Sequence, residues 1–159
     1  MSEPPRPAKR DRTETLQILN GAFREMIPHN AALGLEVIDF DTTGITMRLP
    51  YDVRWVGNPE SGVLHGGVIT TLLDASSGAS VYMRIGSPVP IATLDLRIDY
   101  LKPAAPGRDV FARAECYKLT RNVAFVRAFA FHDDANDPIA SAASAFMLHT
   151  KGRIYRATT

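Results

Sequence analysis

The stretch GVLHGGVITTLLDASSGASVY, Gly62 to Tyr82, constrains this chain more than any other. From His65 to about Met83 it is apolar or small on nearly every side, so a helix formed there must be buried nearly all round. A curved sheet wrapped about that helix supplies such cover. The run from Ala75 to Ser80 suits it, because side chains this small let strands approach the helix axis closely. The cost is a glycine inside a helix, about 1 kcal/mol relative to alanine.

The strands that would wrap it can be read from alternation and turn residues. Gly34 to Phe40 and Ile45 to Leu49 flank Asp41-Thr-Thr-Gly44, which is turn chemistry, and read as a hairpin. Pro50 to Gly62 reads as a loop. Beyond the helix come Ile91 to Leu101, Val110 to Leu119, Val123 to Phe131 and Ile139 to His149, each separated by turn residues. In the first of these, Leu94, Leu96, Ile98 and Tyr100 alternate with Asp95, Arg97 and Asp99, the pattern of an antiparallel strand with two unlike faces. Upstream, Leu16, Leu19, Ala22, Phe23 and Met26 recur at helical spacing, with Thr13 as the cap and Pro28 as the stop. Residues 1–12 are rich in proline and basic side chains with nothing to bury, so a disordered tail is expected there. The resulting expectation is an α+β protein: a single domain over residues 13–159, six antiparallel strands around one long central helix, and an N-terminal helix.

At 159 residues such a domain can bury roughly two thirds of the surface that its unfolded chain exposes. A formal net charge of +1 provides no global field to recruit nucleic acid or an anionic membrane. No apolar run approaches the ~20 residues that a spanning helix needs. The single cysteine, Cys116, excludes an intramolecular disulfide and points to a reducing, cytoplasmic setting. Its surroundings, VFARAECYKL, read as a strand, not as a nucleophile's loop. The histidines show no metal-ligand spacing, so no metal is implied.

Chemistry concentrates at the two ends of one half of the central helix. A helix that starts near His65 leaves its first N–H groups unpaired and carries partial positive charge there. Gly66 and Gly67 leave those amides open to a ligand, and such a terminus suits an oxyanion. The alternative is that His-Gly-Gly is only a tight strand-to-helix turn. Asp74 is the second signal, because a carboxylate in a buried helix must be either paired with a nearby donor or used as a base or nucleophile. Gly66 and Asp74 lie eight residues apart, about 12 Å along the axis, so one chain cannot bring both to one carbonyl carbon. If they cooperate, two antiparallel helices of a two-fold dimer must share each site.

Gly62-Val-Leu-His-Gly-Gly67, then Leu72-Leu73-Asp74, then Thr93 to Ala104 (TLDLRIDYLKPA) together resemble the PaaI-type hotdog-fold acyl-CoA thioesterases, over roughly Pro28 to Lys151. The resemblance implies a hotdog fold assembled as homodimers and dimers of dimers, acyl-CoA as substrate and no cofactor beyond the coenzyme A of the substrate. It also implies that Asp74 is nucleophile or general base, that the Gly66 amide polarises the thioester carbonyl, and that Asn58 and Thr93 help to orient the attacking water or the thioester. His65 is expected to build the helix start and position the carbonyl. Gly67 adds an amide, Arg121, with Arg54 and Lys102, could meet coenzyme A phosphates, and Trp55, Val56 and Tyr82 are the candidate acyl-pocket lining. The rival functions are a hotdog hydratase or dehydratase that uses His65 as base, and a non-catalytic acyl-CoA binding module.

Overall fold

Small side chains on both surfaces determine how closely the central helix meets its sheet. The computed structural model describes residues 11–87 and 89–151, so most of the expected tail lies outside the described residues. The chain begins with helix α1 (Arg12–Met26) and continues through α2 (Pro28–Leu33), β1 (Glu36–Phe40) and β2 (Gly44–Leu49). A 3-10 turn at Val53–Trp55 leads to a short pair, β3 (Val56–Asn58) and β4 (Val63–Leu64), and then to α3 (Gly66–Ile85). Four strands follow: β5 (Ile91–Tyr100), β6 (Val110–Leu119), β7 (Val123–Phe131) and β8 (Ala140–Leu148). Six of these strands form one antiparallel sheet in the order β1-β2-β6-β7-β8-β5. With α3 packed into its concave face, this is the hotdog fold.

The inner face of the sheet is floored by Ala112 and Ala114, by Ala124, Ala128 and Ala130, and by Ala140 and Ala142, all buried. Ser76, Ser77, Ala79 and Ser80 of α3 are buried too, so backbone approaches backbone where bulkier residues would hold them apart. Ser76 and Ser80 return their hydroxyl protons to Leu72 and Ser77 carbonyls on their own helix, which removes the cost of burying them. Leu72, Leu73, Ile69 and Val81 fill the rest of the interface.

The helix is less enclosed than its composition predicts. Thr71, Asp74, Ala75, Gly78 and Tyr82 are only half-buried, and they lie on one side of α3 between β5 and the N-terminal helices. That opening exists because the two edges of the sheet are treated differently. At β1, Asn20 of α1 donates to the Val37 carbonyl at 2.9 Å and accepts the Val37 N–H at 2.7 Å, so a side chain stands in for a further strand. At β5, the last strand of the sheet, no other described strand pairs with the outer edge, and Leu94 and Tyr100 are 53% and 51% exposed.

Other departures from expectation are local. Asp11, not Thr13, precedes α1, and Pro28 opens the second helix instead of merely ending the first, because proline is well placed in a first helical turn. The presumed loop after Pro50 contains the 3-10 turn and the β3–β4 pair. Gly86, at φ 72°, closes α3 two residues beyond the expected end.

The β1–β2 turn is held by Asp41, whose carboxylate accepts the Thr43 and Gly44 N–H groups and the Thr43 hydroxyl at 2.8 to 2.9 Å and pairs with Arg113 of β6. Burial pushes this carboxyl up, but donation from Thr43 and the Arg113 guanidinium outweigh it and hold it at about 2, below the ordinary 3.8. A depressed folded value contributes stability above the ordinary value, and that contribution is lost as pH falls through the folded value. Asp41→Ala should therefore lower stability by about 1 kcal/mol at neutral pH. In urea melts the gap from the parent protein should hold down to about pH 4 and close towards pH 2.

Candidate active site

Three hydrogen bonds assemble the start of α3. The His65 N–H donates to the Trp55 carbonyl at 2.8 Å, the Gly67 N–H donates to His65 Nδ1 at 2.9 Å, and the Tyr100 hydroxyl donates to the Gly66 carbonyl at 2.8 Å. With Nδ1 an acceptor, the neutral ring carries its proton on Nε2. His65 is thus the helix N-cap, with its ring spent on Gly67, and the expectation that both glycine amides stay open is corrected. The Gly66 N–H, by contrast, has no intramolecular acceptor among the described residues.

Glycine is needed here for space. A Cβ on Gly57 would stand 2.9 Å from the His65 Cα, so the β3 strand could not reach the motif. A Cβ on Gly66 would crowd the Tyr100 hydroxyl at 3.2 Å. Tyr100 also meets the Thr70 hydroxyl at 2.9 Å, which joins the end of β5 to the first turn of α3. Tyr51 donates to the Gly62 carbonyl at 2.9 Å and pins the segment that enters the motif.

The second cluster lies two turns along α3. Asp74 is half-buried, and its Oδ1 accepts the Thr93 hydroxyl at 3.0 Å. Its Oδ2 has no hydrogen-bond partner among the described residues. Simple alternation would put Thr93 on the outer face with Asp95. A register shift between Thr93 and Asp95 turns it inward: Thr93 pairs with buried Phe146, Asp95 pairs with Ala145, and Leu94 is the extra residue. A β-bulge beside a functional group is a common way to re-aim a side chain.

The residues singled out from the sequence fall into two groups. His65, Gly66, Gly67, Trp55, Val56 and Asn58 lie at the N-terminal end of α3. Trp55 and Val56 are linked there by the His65–Trp55 bond and the Val56–Leu64 pair, and Asn58 lies opposite Val63. Asn58 is exposed, and it forms a turn: its side chain accepts the Glu60 N–H at 3.0 Å and its carbonyl accepts the Gly62 N–H at 2.9 Å. Asp74 at the middle of α3, Thr93 of β5 beside it and Tyr82 a further two turns along form the second group. Arg121 is exposed in the β6–β7 turn at that same end, because Asn122 accepts the Leu148 N–H and Leu148 pairs with Ile91. Trp55 and Val56 are therefore not brought together with Tyr82. Arg54 is committed to Asp52 at 2.6 Å, and Lys102 pairs with Asp137. Tyr100 and Thr70 were missed as functional residues; the signal was a hydroxyl at the end of an alternating strand, which alternation alone gives no reason to single out.

Of the remaining groups, Cys116 is buried against α3, and burial pushes its thiol up. His132 is structural, accepting the Ala105 N–H and donating to the Asp109 carbonyl. No helix among the described residues is long and apolar enough to cross a membrane.

Comparison with known proteins identifies the family. A family profile described as the thioesterase superfamily matches residues 61–139, which includes the helix start, Asp74 and Thr93. The medium/long-chain acyl-CoA thioesterase YigI of Salmonella typhimurium is 28% identical over 151 residues, spanning 85% of this chain and 94% of the relative. A crystal structure of a Pseudomonas aeruginosa protein is 48% identical with a TM-score of 0.75, covering 83% of this chain and 97% of that one. A Haemophilus influenzae thioesterase is 25% identical with a TM-score of 0.73, covering 84% of this chain and 89% of that one. The chain belongs to the thioesterase superfamily and is a thioester hydrolase.

Proposed function

We propose that the protein hydrolyses acyl-CoA thioesters to a free acid and coenzyme A, at sites that two protomers share. The observation that carries this reading is the division of the chemical groups between the start and the middle of one helix, about 12 Å apart. The uncovered edge of β5 supports a way to join them. Thr93 is level with Asp74 and Tyr100 is level with Gly66, so β5 runs antiparallel to α3. If two β5 edges pair about a two-fold axis with Thr93 of one opposite Tyr100 of the other, Asp74 of each protomer faces Gly66 of its partner. With Leu94 counted as the extra residue, the axis then passes at Arg97.

In such a site the free Gly66 N–H, at the positive end of α3, stabilises the oxyanion formed from the thioester carbonyl, an effect on the order of 3 kcal/mol. Asp74 either attacks the carbonyl to give a mixed anhydride or takes a proton from the attacking water, with Thr93 holding Oδ1 and leaving Oδ2 to react. His65 holds the Gly67 amide and so fixes the start of the helix. A hydratase would need that imidazole as a base, and its Nδ1 is already occupied. Arg121 lies on the Asp74 side of the shared site and is suited to a coenzyme A phosphate, and Asn58 approaches from the Gly66 side. The lone, buried Cys116 accords with a cytoplasmic enzyme.

Asp74→Asn should reduce thiol release from acyl-CoA by a factor of at least about 1,000 while the circular dichroism spectrum and sedimentation of the protein stay unchanged. Near-normal turnover in that variant would end the proposed mechanism. Gly66→Pro removes the N–H at a first helical position that tolerates proline; because its Cβ also presses on Tyr100, it is compared with Gly66→Ala, which adds the Cβ and keeps the N–H, and should be about 100-fold or more slower. Unfolding together and refolding equal amounts of Asp74→Asn and Gly66→Pro should restore about a quarter of parent activity, because half the dimers are mixed and each holds one intact site. If mixing restores nothing, the two groups do not act across an interface.

A further inference from the structure

The helices α1 and α3 leave between them a cavity of about 470 Å³. Its walls include Ile18, Ala22 and Met26 of α1 and Ala79, Tyr82 and Met83 of α3, and none of its lining residues is charged. The volume lies within the range of small-molecule sites, roughly 300 to 1,000 Å³. Large apolar side chains stand open along it: Ile18 is 46% exposed and Met26 is 38% exposed. Burial pushes the Tyr82 phenol up, as an apolar surrounding does.

We propose that this groove is the subsite for the hydrocarbon chain of a medium- to long-chain acyl thioester. The proposal rests on the shared acyl-CoA site described above. Three observations place the chain here. The groove starts beyond Asp74 along α3: Ala79 lies about 7.5 Å further along the axis, and Tyr82, on the same half-buried side of the helix as Asp74, about 12 Å. The His29 ring, two residues beyond Ile27 of the groove, meets the Thr71 hydroxyl at 3.3 Å, so the end of α1 that carries Met26 and Ile27 is the mouth nearest Asp74. Of the two arms of an acyl-CoA, only the hydrocarbon matches a lining without charge, since phosphates buried there would be unpaired.

Length sets the class. From Asp74 to Gly86, the far end of the groove, α3 spans about 18 Å. An extended chain advances about 1.2 Å per bond, a third of the rise of an extended residue, so the groove holds on the order of ten to fifteen carbons. A butyryl group would end before Ala79. Trp55, which was the other expected acyl contact, lines a separate hollow with Pro50 and Tyr51.

The test compares dodecanoyl-CoA with butyryl-CoA, below micellar concentration, in the parent protein, in Ala22→Trp, which fills the groove, and in Ile18→Glu, which charges its wall. The readout is the ratio of kcat/KM for dodecanoyl-CoA to that for butyryl-CoA. In the parent the ratio should exceed about 10, because each buried methylene is worth roughly fourfold, and both variants should lower it at least about tenfold. A ratio that is the same in all three proteins overturns the subsite, whatever the absolute rates. Calorimetry with the non-hydrolysable S-dodecyl-CoA and S-butyl-CoA thioethers provides a second measurement that needs no turnover. If the parent binds the dodecyl thioether at least about tenfold tighter but releases thiol from neither substrate, the hydrolase reading of this site fails and the groove assignment stands. Equal affinity for the two thioethers overturns the assignment.

Discussion

Everything in this molecule depends on how near α3 can come to the sheet. A helix flanked by leucines would normally stand off a sheet by the length of two large side chains. Here serines and alanines of α3 meet a floor of alanines on β6, β7 and β8, and the sheet curls around the helix at close range. That proximity lets two side chains of modest length on β5, Thr93 and Tyr100, reach the helix at all. Enlarging those alanines would press on the helix, so the small residues of the core bear directly on the geometry around Asp74 and Gly66.

The same closeness explains why the site is built from the beginning and the middle of one helix. An N-terminus supplies a free amide and a favourable local field, whereas a position two turns on supplies a carboxylate away from that field. In the proposed dimer that separation lets the Gly66 amide of one protomer and Asp74 of the other meet at one carbonyl. The His65 ring reinforces the arrangement by binding the Gly67 amide, which leaves a single amide as the point of lowest potential for an incoming oxygen.

The architecture was largely readable from the chain. The small and apolar run from His65 demanded a wrapped sheet, and the alternation of Val123 to Phe131 and its neighbours supplied the strands. What the sequence concealed were effects of close approach and register. That Gly67 would be occupied by His65 follows from a ring rotamer, and that Gly57 must be glycine follows from a contact with a residue eight positions away. The half-open side of α3 was hidden as well, because its residues are small, and small residues look the same in a core as beside a vacant edge. Tyr100 was counted with the apolar face of its strand, which is correct for its ring and silent about its hydroxyl.

The bulge at Leu94 divides β5 into two segments with separate obligations. Ile91 to Thr93 keeps step with the carboxylate-bearing turn of α3, while Asp95 to Tyr100 keeps step with the helix start and presents its outer edge to whatever lies beside it. One surplus residue thus changes which way the strand faces: the Thr93 hydroxyl is aimed at α3, while Asp95, Arg97 and Asp99 keep to the opposite side of the sheet.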